Sequence, residues 1–197
     1  MATYRAIAAI GKTLALMLKD ASAGTEFDGF DFELYRPADF KSGTAVVEGV
    51  TFYLYRVSIN GARRNLPPIT GPDGRRYRAP LPVDLAYLVT PWAKSADMQH
   101  RLLGWTMREL HNVPVLPASV LNHYVSEDDT FRAGETVELI CDSPSLQDMT
   151  NILERLDINQ QLSVVYVARG VALESEIALD EGAPVQTRVL DYKKVAE

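Results

Sequence analysis

Few residues of this chain are of a type and spacing that could do chemistry. Ala6-Ile7-Ala8-Ala9-Ile10-Gly11-Lys12-Thr13 satisfies a relaxed phosphate-loop pattern, with alanine in place of the first glycine. A working phosphate loop follows a strand and wraps its anion in successive backbone N–H groups, outside helical geometry. Only five residues precede this match, and its isoleucines and alanines fall at amphipathic helical spacing. The segment therefore reads as helix, with Gly11 allowing close packing against a neighbour. The three histidines, His100, His111 and His123, are not at metal-ligand spacing, and Cys141 does not join them. His111 falls near the end of a helical segment, where its charge or N–H can meet free carbonyls, and His100 and His123 read as surface or interface residues. No Gly-x-Ser-x-Gly elbow occurs. Asp84 lies on an apolar run, where burial would raise its pKa unless a partner is near; Arg56 is the candidate partner. Glu26, Asp28, Asp31 and Glu33 cluster in sequence, but their spacing lacks a calcium-loop pattern and reads as a solvated face. These residues make no coherent acid–base or nucleophile set. No catalytic residue, cofactor or metal is expected.

One feature stands against the average charge. The chain carries 26 acidic and 20 basic residues, for a formal charge of −6. Yet Arg63, Arg64, Asn65, Arg75, Arg76, Tyr77 and Arg78 gather within one turn-rich stretch. Arginine with tyrosine and proline is what protein interfaces favour, because the guanidinium forks onto carboxylates and stacks on rings. Nucleic acid is a poor partner for a chain whose overall charge opposes it. The loop is thus a candidate protein interface.

The elements that must position these residues follow from periodicity. Residues 3–21 read as a helix with Ile7, Ile10, Leu14, Met17 and Leu18 on one face and Gly24 as its stop. Residues 27–36 alternate loosely as a strand, and residues 41–43 read as a turn. Residues 46–60 give the strongest strand signal. There Tyr53, Tyr55, Val57 and Ile59 face one way and Phe52, Leu54, Arg56 and Ser58 the other. Residues 61–80 form a long connection with Pro67-Pro68, Gly71-Pro72 and Asp73-Gly74, and connections of that length usually carry function or are disordered. Residues 82–90 are a strand ended by Pro91. Ser95 caps a helix to about His111. Residues 120–125 and 135–141 are strands around an acidic turn, Ser145 begins a third helix, and residues 163–173 are a central strand. Cys141 then reads as a small, buried strand residue. The pattern is not strictly alternating, so the fold class is α/β in the α+β sense: a mixed sheet of five to six strands packed with about three helices.

At 197 residues with 47% hydrophobic composition, the chain can fill one core. A single cysteine makes no internal disulfide and suits a reducing compartment. No run approaches the roughly 18 apolar residues of a membrane span. The apolar run at residues 7–10 is too short for a secretory leader.

The order of several short pieces carries a resemblance. They are Phe52-Tyr53-Leu54-Tyr55-Arg56 through Asn60, the pair Arg64-Asn65, and Leu85-x-Tyr87-Leu88. Further along come Leu102-Leu103-Gly104 to Leu110-His111, Pro114-Val115-Leu116, and Leu162-Ser163-x-x-Tyr166 to Glu174-Ser175. In this order the chain resembles the tail-terminator, or cap, proteins of extracellular contractile injection systems, over about residues 3–175. The resemblance implies a structural cap without a reaction, forming a ring, usually six-fold, on the last layer of sheath and inner tube and ending their polymerisation. The implied partners are further copies of the chain, the sheath protein and the inner tube protein. The implied setting is assembly in a bacterial cytoplasm into a phage-tail-like particle.

The division expected is a terminator-like domain over residues 1–175 and a C-terminal arm over residues 176–197. Arg188, Val189, Leu190 and Tyr192 of that arm are interface candidates, because an extended arm can add to a neighbour's sheet edge. Two other readings stand beside the cap: another adaptor of a phage-like particle, and a small-ligand or enzymatic α/β domain using Asp84, His111 and the arginine loop.

Overall fold

The computed structural model describes residues 2–41, 46–71, 73–125, 130–158 and 161–179. The chain opens with α1 (Ala6–Ser22), followed by β1 (Asp31–Leu34) and β2 (Gly49–Ile59). A short hairpin, β3 (Ile69–Thr70) and β4 (Arg76–Tyr77), precedes the long β5 (Leu81–Trp92) and α2 (Ala96–Asn112). Then come β6 (Val115–Pro117), α3 (Ala118–His123), β7 (Thr136–Asp142), α4 (Leu146–Leu156) and β8 (Val164–Leu173). Six strands form one sheet in the order β1-β2-β5-β8-β7-β6. The β1–β2 pair is parallel and the others antiparallel. This is the mixed-sheet α+β fold the sequence predicts, with four α-helices among the described residues rather than about three.

Alternation along the strands separates two apolar layers. Val50 and Phe52 of β2, Val83, Leu85, Tyr87 and Val89 of β5, and Tyr166 and Ala168 of β8 share a core with residues of α1, α2 and α3. Their neighbours in sequence, Leu88 and Val165, pack instead with Leu153 and Leu156 of α4 on the opposite side. Ile10, Leu14 and Leu18 of α1 are fully buried, which is the helix face read from the spacing. Gly24, with φ of +73°, lies just past the helix end as the predicted stop. Ser95 and Ser145 cap α2 and α4, each accepting an N–H three residues on, from Met98 and Asp148. Strand β8 lies between β5 and β7, as its two apolar faces require.

Several boundaries differ from expectation. Of residues 27–36, only Asp31–Leu34 are strand. Phe27 turns back onto Trp105, with ring centroids 5.2 Å apart, because aromatic burial there outweighs extension. Lys41 closes a 3₁₀ turn, and the rest of the turn predicted at residues 41–43 lies outside the described residues. Pro91 does not end its strand. It faces Val50 of β2 and lies beyond the last β8 partner, the Val89–Val164 pair, so no β8 carbonyl waits for its missing N–H. Its own carbonyl accepts from Gln99 Nε2 at 3.0 Å and Gln161 Nε2 at 2.8 Å.

The larger correction falls at residues 120–125, read as a strand. Residues 118–123 are the helix α3, and the strand there is β6, just before it. Val120 and Val125 favour extension locally, but the helical turn buries Ala118 and Leu121 in the α1 core. It also aims the Asn122 side chain at Phe131, whose N–H it accepts at 3.0 Å and whose carbonyl it meets at 2.8 Å. Tertiary packing overrides propensity at this point.

Candidate docking surface

The arginine-rich connection is a built protrusion. At its base, Asn60 is buried and joins three segments. Its N–H donates to Pro82 O at 3.0 Å, its Oδ1 accepts from Arg63 N at 3.1 Å, and its Nδ2 meets both oxygens of Asp84 at 3.0 and 3.2 Å. Asp84 Oδ1 also accepts the Gly170 N–H at 3.1 Å, and Arg63 Nη1 donates to Gly170 O at 3.2 Å. Asp84 thus has amide donors as its partners, and the predicted partner Arg56 is not among them. Arg56 stands opposite Ala86 in the β2–β5 ladder.

At the tip, β3 and β4 pair Ile69 with Tyr77 and Thr70 with Arg76. Gly71 is required at the turn: a Cβ there would lie 2.6 Å from Tyr77 Cε2 and 2.8 Å from Asp73 Oδ1. Gly74 supplies a φ of +77°. Asp73 accepts the Arg75 N–H at 3.1 Å and the Tyr77 hydroxyl at 2.7 Å. The hydrogen bond from Tyr77 holds the Asp73 carboxyl below its ordinary range, and the same bond raises the Tyr77 phenol. A third strand segment joins from beyond β8. Arg78 N donates to Ile177 O at 3.0 Å and Leu179 N to Arg76 O at 2.7 Å, so the chain leaving the core is stitched to this hairpin.

The structure thereby brings Arg63, Arg64, Asn65, Arg75, Arg76, Tyr77 and Arg78 onto one end of the sheet, with all but Tyr77 exposed. Behind them is a groove of about 320 Å³ lined in part by Leu66, Pro67, Ile69, Pro80 and Phe131. Arg188, Val189, Leu190 and Tyr192 lie outside the described residues.

The remaining sequence candidates do not converge. The phosphate-loop look-alike is the first two turns of α1. A Cβ on Gly11 would meet Leu34 Cδ2 at 2.9 Å, which confirms the close approach read from the sequence. Thr13 Oγ1 is buried and directed at Leu121 O at 3.4 Å. His100 and His111 are exposed on α2, eleven residues apart, and His123 is exposed at the end of α3. Glu26 pairs with Arg101, and Asp28 accepts the Gly24 N–H at 3.2 Å. No group of three or more His, Cys, Asp or Glu among the described residues could hold a metal ion. Cys141 is on a strand, as predicted, but is exposed; it lies near the end of β7, beyond Glu138, the last residue that β6 pairs with. Partial burial nonetheless raises its thiol pKa.

Sequence reasoning missed two features. One is the clamp of Asn60, Asp84 and Gly170, whose members are 24 and 86 residues apart. The other is an open sheet edge: β1 covers only Gly49 to Phe52 of β2, and Val57 and Ile59 beyond it are 48% and 54% exposed. The strand signal continues to Ile59 and gave no sign of where its neighbour would stop.

The fold and its surface define a mixed-sheet α+β domain whose distinctive chemistry is a hydrogen-bonded basic protrusion. The chain belongs to the family described as the Pvc16 N-terminal domain, whose model matches residues 9–187. Among curated proteins, none matches its sequence. Two solved structures share its fold. One is the sheath/tube terminator, in its extended state, of the extracellular contractile injection system PVC. It has a TM-score of 0.63 at 15% identity, over 96% of this chain and 64% of that one. The other is the tube-terminating cap of the anti-feeding prophage, with a TM-score of 0.61 at 14% identity, over 93% of this chain and 60% of that one. The chain thus spans about three-fifths of the length of each. No helix among the described residues is long and apolar enough to cross a membrane.

Proposed function

We propose that this chain is a structural terminator of a contractile injection system, seated at the end of the sheath and inner tube where it stops their growth. The observation that carries the reading is family membership over residues 9–187, joined to the terminator fold across nearly the whole chain. The surface chemistry agrees with it. The described residues offer no converging acid, base and nucleophile, whereas they do offer an anchored arginine hairpin and open sheet edges. A terminator works by geometry: one face matches the last layer of a helical polymer and the other presents no site for the next. Further copies of the chain close a ring, six-fold by the symmetry of such tails, through contacts between unlike surfaces. Its partners are the sheath and tube proteins, and it assembles with them in the bacterial cytoplasm. The domain core ends near residue 175, and residues 176–197 follow as an arm that first pairs with the chain's own hairpin at residues 177–179 and then reaches a neighbour.

Imaging of particles carrying a tagged copy tests the reading. The tag is expected at the end distal to the baseplate, with over-long or uncapped tubes when the gene is deleted. Label scattered along the shaft overturns it, and loss of baseplates in the deletion strain would instead indicate an adaptor.

A further inference from the structure

The arginine hairpin and its best electrostatic match are on the same chain, at opposite ends of the sheet. The hairpin sits where β2 ends, β5 begins and β8 ends: Asn60 follows β2, and Tyr77 bridges Ala178 just past β8. Strand β1 sits at the other end, with Asp31 opposite Gly49, the first residue of β2. The 11-residue length of β2 separates the two by roughly 30 Å.

Ion pairing within the chain discriminates among the acids around β1. Glu26 is held by Arg101, Glu48 by Lys94 at 2.7 Å, and Asp39 by Arg36 at 2.8 Å. Asp31 and Glu33, both exposed, meet no cation among the described residues. They alternate along an edge strand whose outer side pairs with no other strand among the described residues. The same edge carries an apolar seat, where Leu34 and Leu16 are 41% and 37% exposed beside a groove of about 470 Å³ that Phe32 and Glu33 help line. Lys12 lies on the α1 wall of that groove, so an incoming cation is directed to the strand side. On the hairpin, Arg64 and Arg78 have no carboxylate partner among the described residues, and Arg75 stands 3.8 Å from Asp73. Its apolar members are Pro67, Pro68 and Ile69.

We infer that the arginine hairpin of one copy docks on the β1 edge of the next, with Arg75 and Arg78 against Asp31 and Glu33 and the hairpin's apolar residues over Leu34 and Leu16. This rests on the terminator reading and names the contact that closes its ring. Two unlike surfaces at opposite ends of one subunit make a heterologous pair, which forms a closed ring when the rotation between copies returns on itself. Guanidinium groups suit carboxylates on an edge strand because both fork geometry and charge match. A nucleic acid would meet the same arginines backed by a chain of charge −6.

The test uses whole particles. Glu33→Cys and Arg78→Cys are combined in a Cys141→Ser background, and the particles are treated with a short bismaleimide. A ladder of cross-linked subunits is expected from the pair and only monomer from either single cysteine. A pair variant that sits at the particle end yet yields only monomer overturns the contact while leaving the terminator reading standing. A wild-type tag away from the end overturns both. As an independent check, Asp31→Lys with Glu33→Lys should lower end-bound subunit roughly tenfold, since like charges are then opposed. Adding Arg75→Glu with Arg78→Glu should restore it. Failure of that reversal to restore occupancy also counts against the contact.

Discussion

The core beneath α1 and the hairpin of β3 and β4 hold their shapes by different means. Under α1, Ile10, Leu14 and Leu18 lose all contact with water, and Gly11 lets Leu34 and Tyr87 approach the helix backbone. Burial of apolar area does the work there, and many neighbours share it. The hairpin buries little. It is shaped by Gly71 and Gly74, by the Asp73 carboxylate, and by a polar clamp at its foot. Stability therefore belongs to the first region. The second spends few apolar contacts and leaves Arg64, Arg75 and Arg78 exposed. A region can be ordered without being part of the core, provided its few polar anchors are satisfied.

The comparison can be broken from the core side first. Leu14→Ala should cost about 2–5 kcal/mol by leaving a cavity beneath α1, read as a lower denaturant midpoint. The hairpin's amide exchange should change only as far as global unfolding requires. A cost below about 1 kcal/mol would mean that this core is looser than its burial implies.

A smaller effect is expected at the foot of the hairpin. Asp84→Ala removes the acceptor for Asn60 Nδ2 and Gly170 N and should cost about 1–3 kcal/mol through donors left unpaired. Its signature is local as well as global, with faster hydrogen exchange across residues 60–64 at unchanged core exchange. Asp84→Asn, which keeps one acceptor oxygen, should recover part of that protection.

The smallest effect is at the tip. Tyr77→Phe deletes the hydroxyl that donates to Asp73 and should leave the melting temperature unchanged while loosening residues 71–77 in NMR relaxation. The pH dependence follows the same bond. Asp73 has its pKa lowered in the folded chain, so its contribution is complete above the ordinary carboxylate pKa of about 3.9. That contribution is lost as pH falls through the lower folded value. Tip order that persists well below that point would show that the glycines alone hold the turn.

Much of this was readable along the chain because it depends on local rules. The stripe of α1, the caps Ser95 and Ser145, and the central place of β8 follow from spacing and donor chemistry within a few residues. The misreadings share a cause. Val120 and Val125 have strand chemistry, yet Leu121 and Asn122 are drawn into helix by partners near residues 13 and 131. Pro91 has the chemistry of a strand end, yet it falls where the adjoining strand has already stopped. Arg56 was the obvious cation for Asp84, but the β2–β5 register puts Ala86 opposite it and Ser58 opposite Asp84. The candidate surface was visible as composition; its anchoring was not, since that comes from Gly170 and from residues 177–179.

The amino-acid order alone determined which segments are apolar on one face, where helices start, and that a basic cluster interrupts an acidic chain, because each depends on near neighbours and period. Only the tertiary structure decided that this cluster stands at one end of the sheet and the exposed carboxylates of β1 at the other. Strand order and register are set by packing between distant segments, and no local spacing encodes the distance between two ends of a sheet.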